Sequence, residues 1–280
     1  MGLPIIEAIN IIECTRENEK RNVLCLGKQL LGYSVGELLD SKKKYNHNVN
    51  LDFFTNFDRK QKLDQEIFFK SIGYENIDTL DFDDYEGANI IFDLNDEKTP
   101  SSLLDKYDLI YDGGTLEHVF NISNALKHLT RMTKVNGLIF HSNPCNGYID
   151  HGFFQISPTL YFDYYLANEY NVLYASIIEK TIGAKILSVK QDLYRTLDMN
   201  YGPKFSPKGV LNFCVQKSKK NNPIIIPQQG YYISVWKKGK QNFYDVEKRF
   251  EFSNFNFIRR LFKFWISLPY YLIEKIKSIK

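Results

Sequence analysis

The sequence predicts an α/β fold, in which a mostly parallel sheet is covered by helices on both faces. Three observations support this prediction. Short apolar runs typical of buried strands alternate along the chain with stretches of helical periodicity. Glycine, Asn-Gly or Asn-Pro follows several of these segments, as expected where strands and helices end in loops. With 280 residues, 44% of them hydrophobic, the chain can bury a sizeable core without disulfides or metals.

The first elements are indicated by an apolar run, a cap and a helical stretch. The run at 22–27 ends on a glycine and is predicted to be a buried strand that enters a loop. Ser34 and Glu37 have the spacing of a capping box, so a helix is predicted to start there. A second helix is predicted around 65–71 and ends near Gly73.

The remaining elements alternate between strands and helices. Strands are predicted at 77–81, 89–94, 107–112, 138–141 (broken at Asn143-Pro144), 172–178 and 209–215, and helices at 123–134 and 158–170. The first two of these strands are linked by only seven residues, whereas a parallel crossover normally takes a dozen or more. Either the link is one tight turn, or the earlier strand lies a few residues away. The aromatic side chains of the last helix either pack in the core or stack on a ligand.

The overall composition excludes several classes of protein. The four cysteines form no C-x-x-C pair, which indicates reduced, intracellular cysteine and argues against a structural zinc site. The sequence shows no secretory signal and no apolar run of about eighteen residues. We therefore predict a cytoplasmic protein without a transmembrane helix.

Positive charge is concentrated in the tail at 254–280. The tail carries +5, which leaves −2 for the rest of a chain whose total is +3, so the body is not expected to bind nucleic acid. The periodicity of the tail predicts a basic amphipathic helix with Phe and Trp on its apolar face. This face could contact the inner surface of the membrane peripherally, or it could dock on the protein or on a second subunit of a homodimer.

Three predicted strands end on an acid, namely Asp81, Asp93 and Asp112. In an open α/β sheet, ligands bind outside the carboxyl ends of the strands. A carboxylate at this position can accept hydrogen bonds from both hydroxyls of a ribose or from an adenine amino group. Each acid taken alone could simply belong to a turn or cap. Three acids along consecutive strands favour a nucleoside site.

The order of these elements resembles the class I S-adenosylmethionine-dependent methyltransferases, and most closely small bacterial members of surface-polysaccharide or antibiotic pathways. The most specific matches are D-G-G-T-L-E-H-V-F-N (112–121), D-Y-E-G-A (84–88) before F-D-L-N (92–95), and H-G-F-F-Q-I-S-P (151–158). The resemblance covers about 20–217 and implies a Rossmann-like sheet whose last strand is antiparallel. An N-terminal extension (1–19) precedes this predicted domain, and a connecting segment (218–253) leads to the tail.

The resemblance also implies the cofactor, S-adenosylmethionine, and the residues that bind it. Those residues are Gly27 and Lys28 in the loop below the methionine portion, Asp81 and Phe82 at the ribose, Asp93 and Leu94 around the adenine, Asp112, Gly113 and Gly114 at the amino acid end, and His118 on the following turn. The chain departs from the family in two ways. Cys25 occupies the place of an acid, and the glycines of the first loop are reduced to Gly27 and Gly32.

Methyl transfer to a hydroxyl or an amine also needs a group that takes the proton, and near neutral pH histidine is the usual one. His151 is predicted to be this general base because it lies in the matched 151–158 segment. His141 is either a substrate contact or a hydrogen-bonded core histidine. The predicted substrate contacts are His141, Asn143, Asn146, Phe154 and Gln155. The spacing of the histidines matches no common metal motif, so no metal is predicted.

These observations predict an S-adenosylmethionine-dependent methyltransferase. The resemblance implies a small-molecule or sugar-type acceptor, such as a sugar, a nucleotide-activated sugar or a glycan-decoration precursor in capsule polysaccharide biosynthesis. A nucleotide-dependent oxidoreductase would need G-x-G-x-x-G after the first strand, and Gly27-Lys28-Gln29 does not provide it. The third hypothesis is a non-catalytic methyltransferase-like protein that binds through its tail, and Cys25 and the glycine-poor loop support it.

Overall fold

A computed structural model describes residues 4–45, 47–179, 185–188, 208–219, 223–230, 232–233 and 236. The chain divides into two compact units, Met1–Asp245 and Val246–Lys280, and all of the described residues belong to the first unit. The predicted tail helix at 254–280 lies outside the described residues, and so does most of the connecting segment at 218–253. The predicted domain boundaries therefore stay predictions. Within the described ranges, no helix is both long enough and apolar enough to span a membrane.

The helices and strands alternate in chain order. The helices are α1 (Ile5–Cys14), α2 (Val35–Tyr45), α3 (Gln65–Ser71), α4 (Ile122–Met132) and α5 (Pro158–Ala167). The strands are β1 (Asn22–Leu26), β2 (Leu30–Ser34), β3 (Lys62–Asp64), β4 (Asn76–Asp81), β5 (Ile90–Ile91), β6 (Tyr107–Asp112), β7 (Thr133–Asn146), β8 (Tyr170–Glu179), β9 (Lys185–Ser188) and β10 (Gly209–Lys217). Single 3-10 turns lie at Asp52–Phe54, Ser101–Leu103 and Leu116–His118.

One eight-stranded sheet organises the protein, with the strand order β5-β4-β1-β6-β7-β10-β8-β9. Strands β5, β4, β1, β6 and β7 are parallel, whereas β10 runs antiparallel to both of its neighbours, β7 and β8. All six residues of β6 are buried, as expected for a central parallel strand that is covered on both faces. The predicted Rossmann-like sheet, mostly parallel with an antiparallel last strand, is confirmed.

Two parts of the sheet differ from the prediction. The loop predicted after β1 contains β2, which pairs antiparallel with β3 in a separate two-stranded sheet. The strand predicted at 138–141 is longer and continues through Pro144, so the break predicted there is wrong. The register against β10 skips Cys145, because Gly209 pairs with Asn146 and Val210 with Pro144. A bulge of this kind accommodates proline, which has no N–H to donate to a ladder.

The short link between β4 and β5 is a single tight connection without a helix. Asn89 makes this connection possible, since its side chain accepts a hydrogen bond from the Thr79 backbone N–H at 2.7 Å and donates one to Asp78 at 2.7 Å. Gly87 adopts a φ of +82°, which favours glycine. Only Ile90–Ile91 of the predicted 89–94 strand pairs with β4.

Two helices settle local predictions. The capping box at the start of α2 is confirmed, because Ser34 N–H donates to Glu37 Oε2 at 2.7 Å and Glu37 N–H donates to Ser34 Oγ at 3.3 Å. The aromatic side chains of α5 that are buried join the hydrophobic core, which supports the core alternative for that helix. Helix α1 is also largely buried, and Asn10 donates from its side chain to Asn212 of β10 at 3.2 Å.

A buried histidine outside the predicted site makes the fold sensitive to acid. His47 is 1% exposed, and its Nε2 lies 2.7 Å from Ser41 Oγ, which donates its own proton to the Leu38 carbonyl. Burial, followed by the charge of Lys42, lowers the pKa of His47 to about 4. The unfolded chain takes up this proton near pH 6.5. Stability is therefore lost as the pH falls from about 6.5 towards 4.

Replacing His47 with glutamine should remove this part of the acid sensitivity, because the amide can still donate to Ser41 but does not titrate. Between pH 7.5 and 4.5, the wild type should lose about 2–3 kcal/mol more unfolding free energy than His47→Gln. Urea denaturation at both pH values measures the difference. Equal losses in the two proteins would show that His47 is not a source of the sensitivity.

Candidate active site

The candidate site lies at the carboxyl ends of β1, β4 and β6. In register, Leu26 at the end of β1 pairs with Leu80 on one side and with Asp112 on the other. The chain reverses its strand order here, with β4 on one side of β1 and β6 on the other. Such a switch point opens a crevice in which α/β proteins bind ligands.

Gly27 is the point at which the three strand ends meet. Its φ is +69°, and its N–H donates to the Leu80 carbonyl at 2.8 Å. A Cβ at this position would lie 3.4 Å from Thr115 Oγ1 and 3.8 Å from Asp81 Oδ2. Both the backbone conformation and the close approach therefore favour glycine. Gly27, which the sequence predicts to lie below the cofactor, is therefore next to Asp81, the acid predicted to bind the ribose.

Asp81 presents one carboxylate oxygen to this crevice. Oδ1 accepts from the N–H of Phe82 at 2.7 Å, whereas no residue that the structure describes donates to Oδ2. The carboxylate is only partly buried, so a ligand can reach it. Phe82 is 70% exposed, and the Nζ of Lys28 reaches to 3.9 Å from the Cβ position of Gly87 in the β4–β5 connection.

Asp93 and Leu94 lie two and three residues beyond β5, at the same edge of the sheet. Asp93 Oδ1 accepts from both the backbone N–H and the side-chain amide of Asn95 at 2.8 Å, so this acid stabilises a turn. Leu94 is buried in the hydrophobic core.

Asp112 is a fully buried hydrogen-bonding centre. Its Oδ1 accepts from the N–H groups of Thr115 at 3.0 Å and Leu116 at 3.3 Å, and its Oδ2 lies 2.8 Å from His141 Nδ1. Gly114 has a φ of +96° within the turn that these bonds hold. The carboxylate thus shapes the Gly113–Gly114 backbone instead of facing a ligand.

His141 and Asn143 lie in the protein interior on β7, next to the end of β6 and the turn that follows it. His141 Nε2 is 2.6 Å from the Tyr165 hydroxyl, and its ring stacks on Tyr161 with centroids 4.1 Å apart. The structure therefore places His141 as a hydrogen-bonded core histidine, with no exposed surface. Asn143 is equally buried, and its Oδ1 accepts from the Tyr161 hydroxyl at 2.6 Å.

A second group of predicted residues gathers where the loop after β7 meets the turn after β6. His118 and His151 lie with ring centroids 5.1 Å apart, and each Nε2 points toward the carboxylate of Glu117, at 3.9 and 3.8 Å from Oε1. These three residues are called the Glu117 cluster below. The loop is fixed to the turn, since Phe154 N–H donates to the Glu117 carbonyl at 3.1 Å.

The other predicted substrate residues surround this loop. Gln155 accepts at its side-chain oxygen from the N–H of Tyr148 at 3.0 Å, which closes the loop on itself. Phe154 is partly buried and packs on the core, and Asn146 ends β7 opposite Gly209. Phe120 and Phe153 form an edge-to-face pair with centroids 5.5 Å apart, and they are 71% and 65% exposed.

The electrostatics of the Glu117 cluster are set by burial. Burial, and then the negative charge of Asp112, raises the pKa of Glu117 to about 7. Burial, followed by the charge of His151, lowers the pKa of His118. A buried carboxyl group with a raised pKa beside two imidazoles is typical of a functional site.

Three residues at the site were missed from the sequence, namely Gln29, Thr115 and Glu117. Gln29 is 7% exposed, and its Cδ lies 2.8 Å from the Cβ position of Gly113, which makes it a neighbour of the predicted amino acid end. Thr115 Oγ1 donates to the Leu26 carbonyl at 2.8 Å and ties β6 to β1. The only sign of Glu117 was its place beside His118 in the matched 112–121 segment. Glutamate is rarely buried, so nothing in the pattern predicted its complete burial.

No family model and no curated protein matches this chain. It is similar to a solved SAM dependent methyltransferase from Archaeoglobus fulgidus, with 18% identity, 75% of this chain and 94% of that chain covered, and a TM-score of 0.35. A second such methyltransferase, from Mesorhizobium loti, has 10% identity, with 70% of this chain and 90% of that chain covered, and a TM-score of 0.37. The YcgJ protein from Bacillus subtilis has 11% identity, with 76% of this chain and 99% of that chain covered, and a TM-score of 0.39. Because these identities and TM-scores are low, the fold assignment rests on strand order and direction.

Proposed function

We propose that this protein is an S-adenosylmethionine-dependent methyltransferase with the methyl donor bound across the carboxyl ends of β1, β4 and β6. The observation that carries the proposal is the meeting of Gly27 with Asp81, whose Oδ2 accepts from no described donor. A partly buried carboxylate oxygen beside a glycine suits a ribose, because its hydroxyls can approach closely and donate to the acid.

The residues around this pair fit the other parts of the donor. The Gly113–Gly114 backbone, in the turn that Asp112 stabilises, would meet the amino acid portion, with Gln29 beside it. Asp93 and Leu94 would flank the adenine at the end of β5. S-adenosylmethionine, when bound, supplies an activated methyl group on a sulfonium, so the chain mainly needs to position the acceptor and exclude water.

The Glu117 cluster would serve the acceptor side. His151 is the proposed general base, since its side chain is partly exposed and its Nε2 lies 3.8 Å from the Glu117 carboxylate, which can stabilise the protonated ring. We propose a sugar-type acceptor. The exposed pair Phe120 and Phe153 supports this choice, because aromatic faces pack against the apolar face of a sugar ring.

Replacing Asp81 with alanine tests the donor site. The variant should bind S-adenosylmethionine about 10–100-fold more weakly, because a charged hydrogen-bond acceptor contributes about 1.5–3 kcal/mol. Isothermal titration calorimetry of the full chain measures this change. Asp83→Ala is the matched control, since Asp83 is an exposed acid of the same β4–β5 connection and accepts a hydrogen bond from Tyr85 N–H. This variant should bind S-adenosylmethionine with wild-type affinity.

Two results would contradict the proposal at different levels. An unchanged affinity in Asp81→Ala, with the melting temperature preserved, would remove Asp81 from the ribose role. A wild-type chain that does not bind S-adenosylmethionine at all would overturn the methyltransferase function itself.

The non-catalytic methyltransferase-like protein is the second candidate, and Cys25 is the observation that favours it. Cys25 is fully buried inside β1, and burial raises the pKa of its thiol, so no charge is available where the resembling family has an acid. Donor binding without transfer of labelled methyl to any acceptor in a screen of sugars and activated sugars would select this candidate.

A further inference from the structure

We propose that Glu117, His118 and His151 form a binding site for a divalent first-row transition cation of the zinc type. The main evidence for this site is the environment of the Glu117 carboxylate. Its side chain is fully buried, yet only Oε2 is bonded, accepting from the Asn143 amide at 3.0 Å. Among the residues that the structure describes, none forms a hydrogen bond with Oε1, which faces the two imidazole rings. A buried carboxylate oxygen without a partner is costly and points to a missing ligand.

The distances leave room for an ion. Each imidazole Nε2 lies 3.8–3.9 Å from Oε1, which is too long for a hydrogen bond. All three donor atoms lie within 4.8 Å of one another. Two ligands of one zinc ion, each about 2.0–2.2 Å from the metal, lie roughly 3.3–3.6 Å apart in a tetrahedron. The separations would have to shorten by roughly 0.2–1.5 Å to bring the three atoms into ligation, which small side-chain rotations can supply.

The surroundings hold these ligands in place. Tyr161 donates to Asn143, which in turn holds Glu117, so a buried chain of hydrogen bonds orients the carboxylate. Gly152 lets the loop approach the turn, since a Cβ there would lie 2.8 Å from the Glu117 carbonyl oxygen and 3.1 Å from His118 Nδ1. Metal ligands in proteins are typically oriented by neighbouring groups in this way.

The ligand types select the class of cation. Two imidazoles and one carboxylate suit zinc and its first-row neighbours, whereas magnesium and calcium prefer oxygen ligands alone. His118 and His151 are 47% and 34% exposed, so the ion would keep at least one position open to the solvent side. Three protein ligands with an open position are the pattern of catalytic rather than structural zinc.

A cation here would have a role in the proposed methyl transfer. It could hold an acceptor hydroxyl at the open position and lower the pKa of that hydroxyl. Only this role rests on the proposed function, because binding of the ion requires neither the methyl donor nor an acceptor. His151 would then act as a ligand instead of the base. The hydroxyl oxygen would take the methyl group as the carbon–sulfur bond breaks and leaves S-adenosylhomocysteine, and the hydroxyl proton would pass to solvent water at the open side of the cluster.

Calorimetry of the full chain, stripped with chelator and titrated with zinc chloride in the absence of S-adenosylmethionine, tests the site. We expect one ion per chain. Glu117→Gln keeps the shape of the side chain but removes its charge, and it should weaken zinc binding by at least about 100-fold, since even loss of an outer-shell partner costs about 10–100-fold. Asp150→Asn is the matched control, because Asp150 is an exposed acid next to His151, and it should bind zinc as the wild type does.

Cobalt(II) provides a second measurement that does not depend on one variant. Its visible absorption should change on binding to the wild type, and the change should be lost in His118→Ala and in His151→Ala, whose side chains are partly exposed. Absence of stoichiometric zinc binding, or equal binding by wild type and Glu117→Gln, would overturn the metal site. Neither outcome bears on the methyl donor, whose binding is measured separately.

Discussion

Alanine at position 151 is expected to lower the turnover of methyl transfer by about 10²–10⁴-fold, the usual contribution of a positioned general base. His151 is the member of the Glu117 cluster that comes from the loop after β7, and its Nε2 faces the carboxylate that can stabilise a proton on the ring. The affinity for S-adenosylmethionine should stay close to wild type, since the ring does not contact Gly27 or Asp81. Turnover is measured with labelled methyl donor on an acceptor found by screening.

Chelation separates the two roles proposed for His151. If His151 is the base, treatment of the wild type with chelator should leave its activity unchanged. If His151 is a cation ligand, chelator should lower wild-type activity, zinc should restore it, and His118→Ala should lose activity to a similar extent. Full activity of His151→Ala would contradict both roles, and Asp150→Asn should be fully active in either case.

The second large effect concerns stability and falls on Asp112. Asp112→Ala should lower the free energy of unfolding by about 3 kcal/mol, because it leaves His141 Nδ1 and the Leu116 N–H buried without their acceptor. For a domain of this size the melting temperature should fall by about 6–12 °C. Differential scanning calorimetry measures both quantities.

Asp112→Asn is the control for this prediction. The amide oxygen can accept from the Thr115 N–H, and the amide nitrogen can donate to His141 once the histidine proton moves to Nε2, facing the Tyr165 hydroxyl. Most of the stability should therefore return. A loss below about 1 kcal/mol in the alanine variant would mean that the network can rearrange or admit water, and that Asp112 is not its centre.

The sequence predicted the fold well because its signals are local. The capping box of Ser34 and Glu37 and the buried strand at 107–112 follow from residue spacing and apolar runs, which depend little on distant contacts. Pro144 was misleading for a physical reason. Proline normally ends a strand, but a bulge against β10 accommodates it, and the partner strand lies more than sixty residues further along the chain.

The site was harder to predict because burial depends on tertiary packing. Asp81 and Asp112 end strands and Asp93 follows one closely, yet their carboxylates differ: Asp81 lies against Gly27, Asp93 closes a turn with Asn95, and Asp112 is buried in a hydrogen-bonded turn. The environment of His141, which lies on β7, depends on Tyr161 and Tyr165, which belong to helix α5. The roles assigned to these residues in catalysis and binding stay predictions until the variants are measured.

The brevity of β5 affects how the protein behaves at high concentration. A parallel sheet with a long, flat outer strand offers a row of unpaired N–H and C=O groups onto which another chain can add. Here that outer strand has two residues, and the chain leaves it for a segment rich in acids and asparagine. The β5 side of the sheet therefore gives a second molecule almost no template for strand addition, and it is protected against edge-to-edge aggregation.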